Sequence, residues 1–183
     1  MGLLLIEQAF NGLQFGVMLF LIAAGLTLVF GIMDLVNLSH GSLVMVGAYL
    51  ATTLIEWTGS FILGILLALP STFLVGVVVE IVVLRTLYER DHLDQVLATF
   101  GLILFFNELI RIVWGPASLY SGLPESISGH VEILSGVPYP AFRLLIILVG
   151  LLVALLIYFI VARTKLGMLI RAGASNREMA GAL

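Results

Sequence analysis

The chain has 183 residues, of which 61% are hydrophobic and 10% charged, and its mean hydropathy is +1.20. An ordinary soluble domain carries about a quarter charged residues, so this composition suits lipid rather than water. With no cysteine and a formal charge of -3, it excludes disulfide frameworks and thiol catalysis and gives nucleic-acid binding no support.

The expected fold is all-α and polytopic: one membrane domain over residues 1–183, with about five transmembrane helices, a broken or re-entrant connection and a small extracytoplasmic hairpin. Met1 to Phe10 lacks the basic start of a cleavable signal, and Ile6 stands where a myristoylation motif needs Ser or Thr. The first span runs from about Phe10 to Met33 and the second from about Leu35 to Ile55. They adjoin across Asp34, where a polar cluster of Asp34, Asn37, Ser39 and His40 begins. Polar groups at membrane depth survive where they line a cavity or meet protein partners, so the cluster reads as a helix break on a solute path. A short connecting loop also accounts for it, with Asn37 or Ser39 capping a helix that begins near Gly41. Small residues at Gly12 and Gly16, and at Gly47 and Ala51, have the spacing that lets membrane helices approach closely.

The third span covers roughly Phe61 to Leu84, and Pro70 within it is expected to produce a kink. Glu80, near its inner end, is a single carboxylate and does not make a proton relay. The fourth span covers Leu93 to Trp114, with Asp91 and Asp94 placed to cap its start and Glu108 three residues from Arg111 on one face. From Gly115 to Tyr139 the chain turns polar and proline-rich, and HVEILSGVPYP alternates like a hairpin around Ser-Gly. That segment is expected outside the membrane, as a cap over the outer mouth or as a plain connector. The fifth span covers Pro140 to Ala162. The basic tail that follows has Gly173 as a breaker, then SNREMAGAL, where Ser175 and Glu178 have capping-box spacing.

Arg85 and Arg90 lie between spans three and four, and Arg163, Lys165, Arg171 and Arg177 follow span five. The positive-inside rule puts residues 85–92 and 163–183 in the cytoplasm and, counting back, the N-terminus outside. Ser39 beside His40 is not a catalytic dyad, since adjacent residues cannot form the nucleophile–base–orienter geometry. No GxSxG or HExxH occurs, and His92 and His130 lack metal-ligand spacing. No enzyme activity, catalytic residue, cofactor or metal site is expected.

Three stretches carry a family resemblance. GLTLVFGIMDLVNLSHGSLVMVGAYLA resembles the N-terminal signature of branched-chain amino acid ABC importer permeases of the LivH/LivM type. DQVLATFGLILFFNELIRIVWGP is similar to that family's Ala-Thr-x-Gly-Leu span, and TKLGMLIRAGASNREMAGAL to its cytoplasmic coupling segment. The resemblance implies a permease of the cell inner membrane that forms the translocation path for branched-chain or related hydrophobic amino acids. It implies a second, homologous permease subunit, two cytoplasmic ATP-binding subunits and an extracytoplasmic solute-binding protein as partners, with membrane lipid around them. Carried over by position, the substrate path is expected at Asn37, Ser39, His40, Gly41 and Tyr49. ATPase coupling is expected at Arg171, Ala172, Gly173, Ser175, Asn176, Glu178 and Ala180. Ser39 departs from the alanine often found in the family's Asn-x-Ala-His-Gly element, a small-for-small change. Family members continue with further spans, so an N-terminal fragment ending inside the coupling segment is expected. A permease for urea or short amides of the same importer class would share these motifs. An ion channel or secondary transporter would want several convergent ionisable groups in mid-span or inverted repeats.

Overall fold

The computed structural model describes residues 2–33, 35–120, 122–124, 127–134 and 137–175. Long apolar runs become helices because a helix pairs its backbone polar groups within the segment, as a lipid environment demands. In chain order these are α1 (Gly2–Met33), α2 (His40–Thr58), α3 (Phe61–Val79), a π turn (Glu80–Leu84), α4 (Arg85–Leu87) and α5 (His92–Trp114). The strands β1 (His130–Leu134) and β2 (Val137–Pro140) follow, then α6 (Ala141–Arg163) and α7 (Lys165–Ser175).

Among the described residues, four helices are long and apolar enough to cross a membrane: Leu4–Gly31, Phe61–Leu87, His92–Trp114 and Ala141–Arg163. The fold is therefore all-α and polytopic, but the expected count of five is not reached on length and composition. The remaining expected span is α2, whose 19 residues include His40, Ser42, Glu56 and three threonines. It begins at His40, not Leu35, because residues 35–37 are not helical. α1 starts eight residues earlier than the apolar run suggests (Gly2 against Phe10). At about 1.5 Å per residue its 32 residues exceed the ~30 Å hydrocarbon core.

The chain divides into two compact units: Met33–Gly122, and Met1–Ile32 with Leu123–Leu183. In the first, α2 and α3 form an antiparallel pair joined by Gly59, whose φ of 62° closes the end of α2, and by Ser60, which caps α3 through its side chain. Gly47 meets Thr72 across this pair, as its small-residue spacing predicts. Gly64 comes closer still: a Cβ there would lie 2.6 Å from the Ile55 Cα. α3 continues through Pro70, and its departure from α geometry is the π turn beginning at Glu80. The core of this unit gathers Leu35, Val46, Val79, Leu84, Leu102 and Phe106. Outward positions such as Phe73, Leu97 and Ile112 are large, apolar and exposed, as lipid-facing positions are.

In the second unit, β1 and β2 pair antiparallel with a register shift between Glu132 and Leu134, so the hairpin expected from the alternation forms. Tyr139 on β2 is fully buried, 5.5 Å from the Phe10 ring, and its hydroxyl lies 3.2 Å from Asn11 Oδ1. Arg143 donates to the same oxygen at 2.6 Å, so one α1 side chain anchors the hairpin and the start of α6. Gly150 of α6 faces Val17 of α1 with no room for a side chain. Gly12 and Gly16 have open space around them, so that GxxxG pair packs against nothing among the described residues.

Candidate functional site

Three residues without helical hydrogen bonding, Leu35, Val36 and Asn37, open the connection from α1 to α2. A backbone group left unpaired in an apolar setting costs several kcal/mol, so each needs a partner. α5 supplies partners for Val36 on both sides. The Val36 N–H donates to Gln95 Oε1 at 3.3 Å, and Thr99 Oγ1 lies 3.4 Å from the Val36 carbonyl. Thr99 makes its shorter bond, 2.7 Å, to the Gln95 carbonyl of its own helix. Gln95 and Thr99 stand four residues apart, hence on one helix face, and both are buried.

Gln95 reaches further. Its amide nitrogen donates to the carbonyls of Leu87 at 3.2 Å and Arg90 at 3.1 Å, in the link from α4 to α5. Its Oε1 also lies 3.4 Å from His92 Nδ1. The break and the basic link of Arg85 and Arg90 therefore sit at the same end of this unit. At the opposite end, Trp114 Nε1 donates to Thr53 Oγ1 at 2.7 Å.

Asn37 Oδ1 accepts from the Ser39 N–H at 3.0 Å and from the Ser39 hydroxyl at 2.7 Å. Ser39 is the N-cap residue of α2, but its side chain makes no cap bond to the helix. The expectation of capping by Ser39 is corrected: its hydroxyl is committed to Asn37, and Asn37 closes the turn that leads into the helix. Likewise Asp91 occupies the N-cap of α5 without a side-chain cap bond, while Asp94 lies in the first turn.

Of the five expected path residues, Asn37 and Ser39 are buried within the unit's own packing. His40 is half-buried, and Gly41 is exposed with open space where a side chain would stand. Tyr49 lies further along α2, its ring 5.4 Å from that of Trp114. The structure thus joins Asn37 to Ser39 and sets Tyr49 apart in an aromatic pair.

Glu80 has a partner that sequence spacing hides. Arg85 Nε and Nη2 donate to its two carboxylate oxygens at 3.2 and 3.1 Å, and the Tyr88 hydroxyl donates to Oε1 at 3.1 Å. A separation of five residues does not align side chains on an α-helix, but the π turn brings these two together. The Arg85 N–H also bonds the Glu80 carbonyl, so backbone and side chains close the same loop. Glu108 and Arg111 pair at 3.8 Å on an exposed face, as expected.

The described part of the expected coupling segment, residues 164–175, forms an elbow with the end of α6. Thr164 ends α6 in extended conformation, its hydroxyl donating to the Ile160 carbonyl at 2.6 Å and accepting from the Gly167 N–H at 3.2 Å. Gly167 lies against the Ile160 and Val161 carbonyls, where a Cβ would collide with backbone, and Arg171 donates to the Val161 carbonyl. α7 is short and amphipathic and runs through Gly173 to Ser175. Gly173 therefore does not break the helix, because glycine costs a helix only about 1 kcal/mol and its neighbours carry it. Ala172 is half-buried on α7, whereas Asn176, Glu178 and Ala180 lie outside the described residues, and the expected capping box with them.

Sequence reasoning missed Gln95, Thr99, Asn11 and Thr164. A polar residue early in an otherwise apolar span was the available signal for Gln95. Thr99 stood in the Ala-Thr-x-Gly-Leu stretch already singled out.

The family model for the branched-chain amino acid transport system permease component matches residues 8–183. The chain belongs to that family. Among relatives, the chain is 28% identical over 191 positions to the high-affinity branched-chain amino acid transport system permease protein BraD of Pseudomonas aeruginosa, covering 97% of the chain and 62% of the relative. It is 26% identical over 192 positions to the corresponding LivH of Escherichia coli, covering 97% and 61%. A probable branched-chain amino acid transport permease LivH of Methanocaldococcus jannaschii is 29% identical over 178 positions, covering 89% and 53%. The chain thus spans about three fifths of the length of the first two relatives and about half that of the third. No solved structure matches it. Family and apolar helices together make it a multi-pass membrane protein of that family.

Proposed function

We propose that this permease contributes to the translocation path of an ABC importer for branched-chain or related hydrophobic amino acids in the cell inner membrane. The observation that carries the reading is the family match over residues 8–183. The break at residues 35–39 supports it, because irregular backbone is tolerated in membrane proteins where it is buried in protein or borders a cavity. The path runs past the His40 and Gly41 surface, with Asn37 and Ser39 holding the turn behind it and Tyr49 further along α2. A homologous permease completes the path, and an extracytoplasmic binding protein delivers the solute.

The elbow supports coupling to cytoplasmic ATPases. The break and the Arg85–Arg90 link occupy one end of their unit, which the positive-inside rule assigns to the cytoplasm, as it does the basic α7 segment. Residues Arg171, Ala172, Gly173 and Ser175, continuing to Asn176, Glu178 and Ala180, form the docking surface. Because Thr164, Gly167 and Arg171 tie α7 to the end of α6, a push on α7 moves α6 with it. N-terminus and hairpin then lie outside.

The test is uptake of labelled leucine by the assembled transporter. Wild-type uptake should require ATP hydrolysis and be competed by isoleucine and valine but not by urea. Arg171→Ala should lower uptake and ATPase stimulation together while the protein still inserts. Uptake unchanged by Arg171→Ala counts against coupling through α7, and competition by urea alone moves the solute to short amides.

A further inference from the structure

We infer that Gln95 is a positioning residue that latches the α1–α2 break to the α4–α5 link, so that the two segments move as one. A primary amide offers one acceptor and two donors in a fixed plane. Here the acceptor takes the Val36 N–H and the donors take the Leu87 and Arg90 carbonyls. These three partners are main-chain groups, so the latch holds backbone position, with the His92 ring as a side-chain neighbour 3.4 Å from the same Oε1. Val36 stands 59 residues from Gln95 in sequence, whereas Leu87 and Arg90 stand within eight. One side chain therefore bridges a distant segment to a near one. Gln95 itself is buried, at 3% exposed, so its own amide depends on these protein partners. Thr99 backs the same residue at its carbonyl, which belongs to the next peptide group. The latch rests on the transporter reading only for its purpose: a displacement of the cytoplasmic link would carry the break that precedes His40.

The chain contains no cysteine, so a single introduced thiol reports local position without background. Leu35 is fully buried beside Val36, and Val46 is a buried control further along α2. Leu35→Cys in the full chain in membranes should resist a maleimide reagent. Adding Gln95→Met, similar in size but without donor or acceptor, should speed its labelling about tenfold or more by freeing the segment. Val46→Cys should stay protected in the same background. Leu35→Cys remaining protected overturns the latch, and so does equal loss of protection at both positions, which would mean general loosening. Should Gln95→Met fail to insert, Gln95→Glu separates the two halves, since a carboxylate keeps the acceptor and loses both donors. A cysteine at Leu87 should then label faster while one at Leu35 does not, and the reverse order overturns the inference. Labelling needs no transport, so its failure is distinguishable from failure of the importer reading.

Discussion

Replacing Asn37 with alanine should damage the permease more than replacing Ser39, and removing both should cost less than removing Asn37 alone. The geometry dictates this order. Asn37 Oδ1 accepts from two Ser39 donors, the N–H at 3.0 Å and the hydroxyl at 2.7 Å, and both residues are buried. Asn37→Ala orphans both donors, at about 1–3 kcal/mol for each buried group, so about 2–4 kcal/mol in total once the hydroxyl finds a weaker acceptor. Ser39→Ala removes one donor along with its need and leaves the Ser39 N–H bond intact, costing about 0.5–1.5 kcal/mol. The double variant leaves only the backbone N–H without a partner, so its cost falls between the two. For a chain of this size about 1 kcal/mol moves the melting temperature by about 2–4 °C, which makes the three variants separable by thermal unfolding in detergent. Ser39→Ala costing as much as Asn37→Ala, or a double variant equal to the sum of the singles, would refute the shared-acceptor geometry.

Close helix approach makes a second ordering. Gly64→Ala should lower the melting temperature by several degrees, because its Cβ would meet Ile55 backbone, which cannot yield as a side chain does; Gly41→Ala, facing open space, should leave it unchanged or raise it slightly. Gly47→Ala should fall between them, since only the Thr72 side chain must shift. The Trp114 to Thr53 bond should appear in a double-mutant cycle: Trp114→Phe and Thr53→Val should each cost about 1 kcal/mol and share most of that cost, with additive unfolding shifts arguing against the bond.

The helices were legible wherever lipid demands uninterrupted hydrogen bonding along an apolar run. α3, α5 and α6 begin within one residue of their expected starts, because Ser60, Asp91 and Pro140 mark sharp polar or proline boundaries. α1 was underread at its start, where Glu7, Gln8 and Asn11 interrupt the apolar pattern without interrupting the helix. The hairpin was legible from the alternation on either side of the Ser-Gly pair in the sequence. Partnerships were not. Glu80 and Arg85 stand five apart, a spacing that ordinary helix geometry rules out, and only the π turn reconciles it. Gln95 serves backbone groups, and a sequence does not show which carbonyl or amide in a distant segment will lack a partner. That information exists only once α5 is packed beside the break.

The polar side chains of this permease therefore divide by what they serve, and the division is testable. Thr27 and Thr52 donate to carbonyls four residues earlier, Ala23 at 2.8 Å and Ala48 at 3.0 Å. Those carbonyls already take part in the helix, so Thr27→Val and Thr52→Val exchange a redundant bond for a methyl group and should be nearly neutral in thermal unfolding. Thr99 makes the same type of bond but also approaches the Val36 carbonyl, which has left helical pairing. Thr99→Val should cost about 1–2 kcal/mol more than the other two, although all three substitutions make the chain equally more apolar. Hydrophobicity predicts one outcome for the three, and backbone pairing predicts two. Equal melting temperatures would mean that the break holds its shape without the Thr99 hydroxyl; a Thr99→Val deficit assigns part of that shape to this α5 side chain.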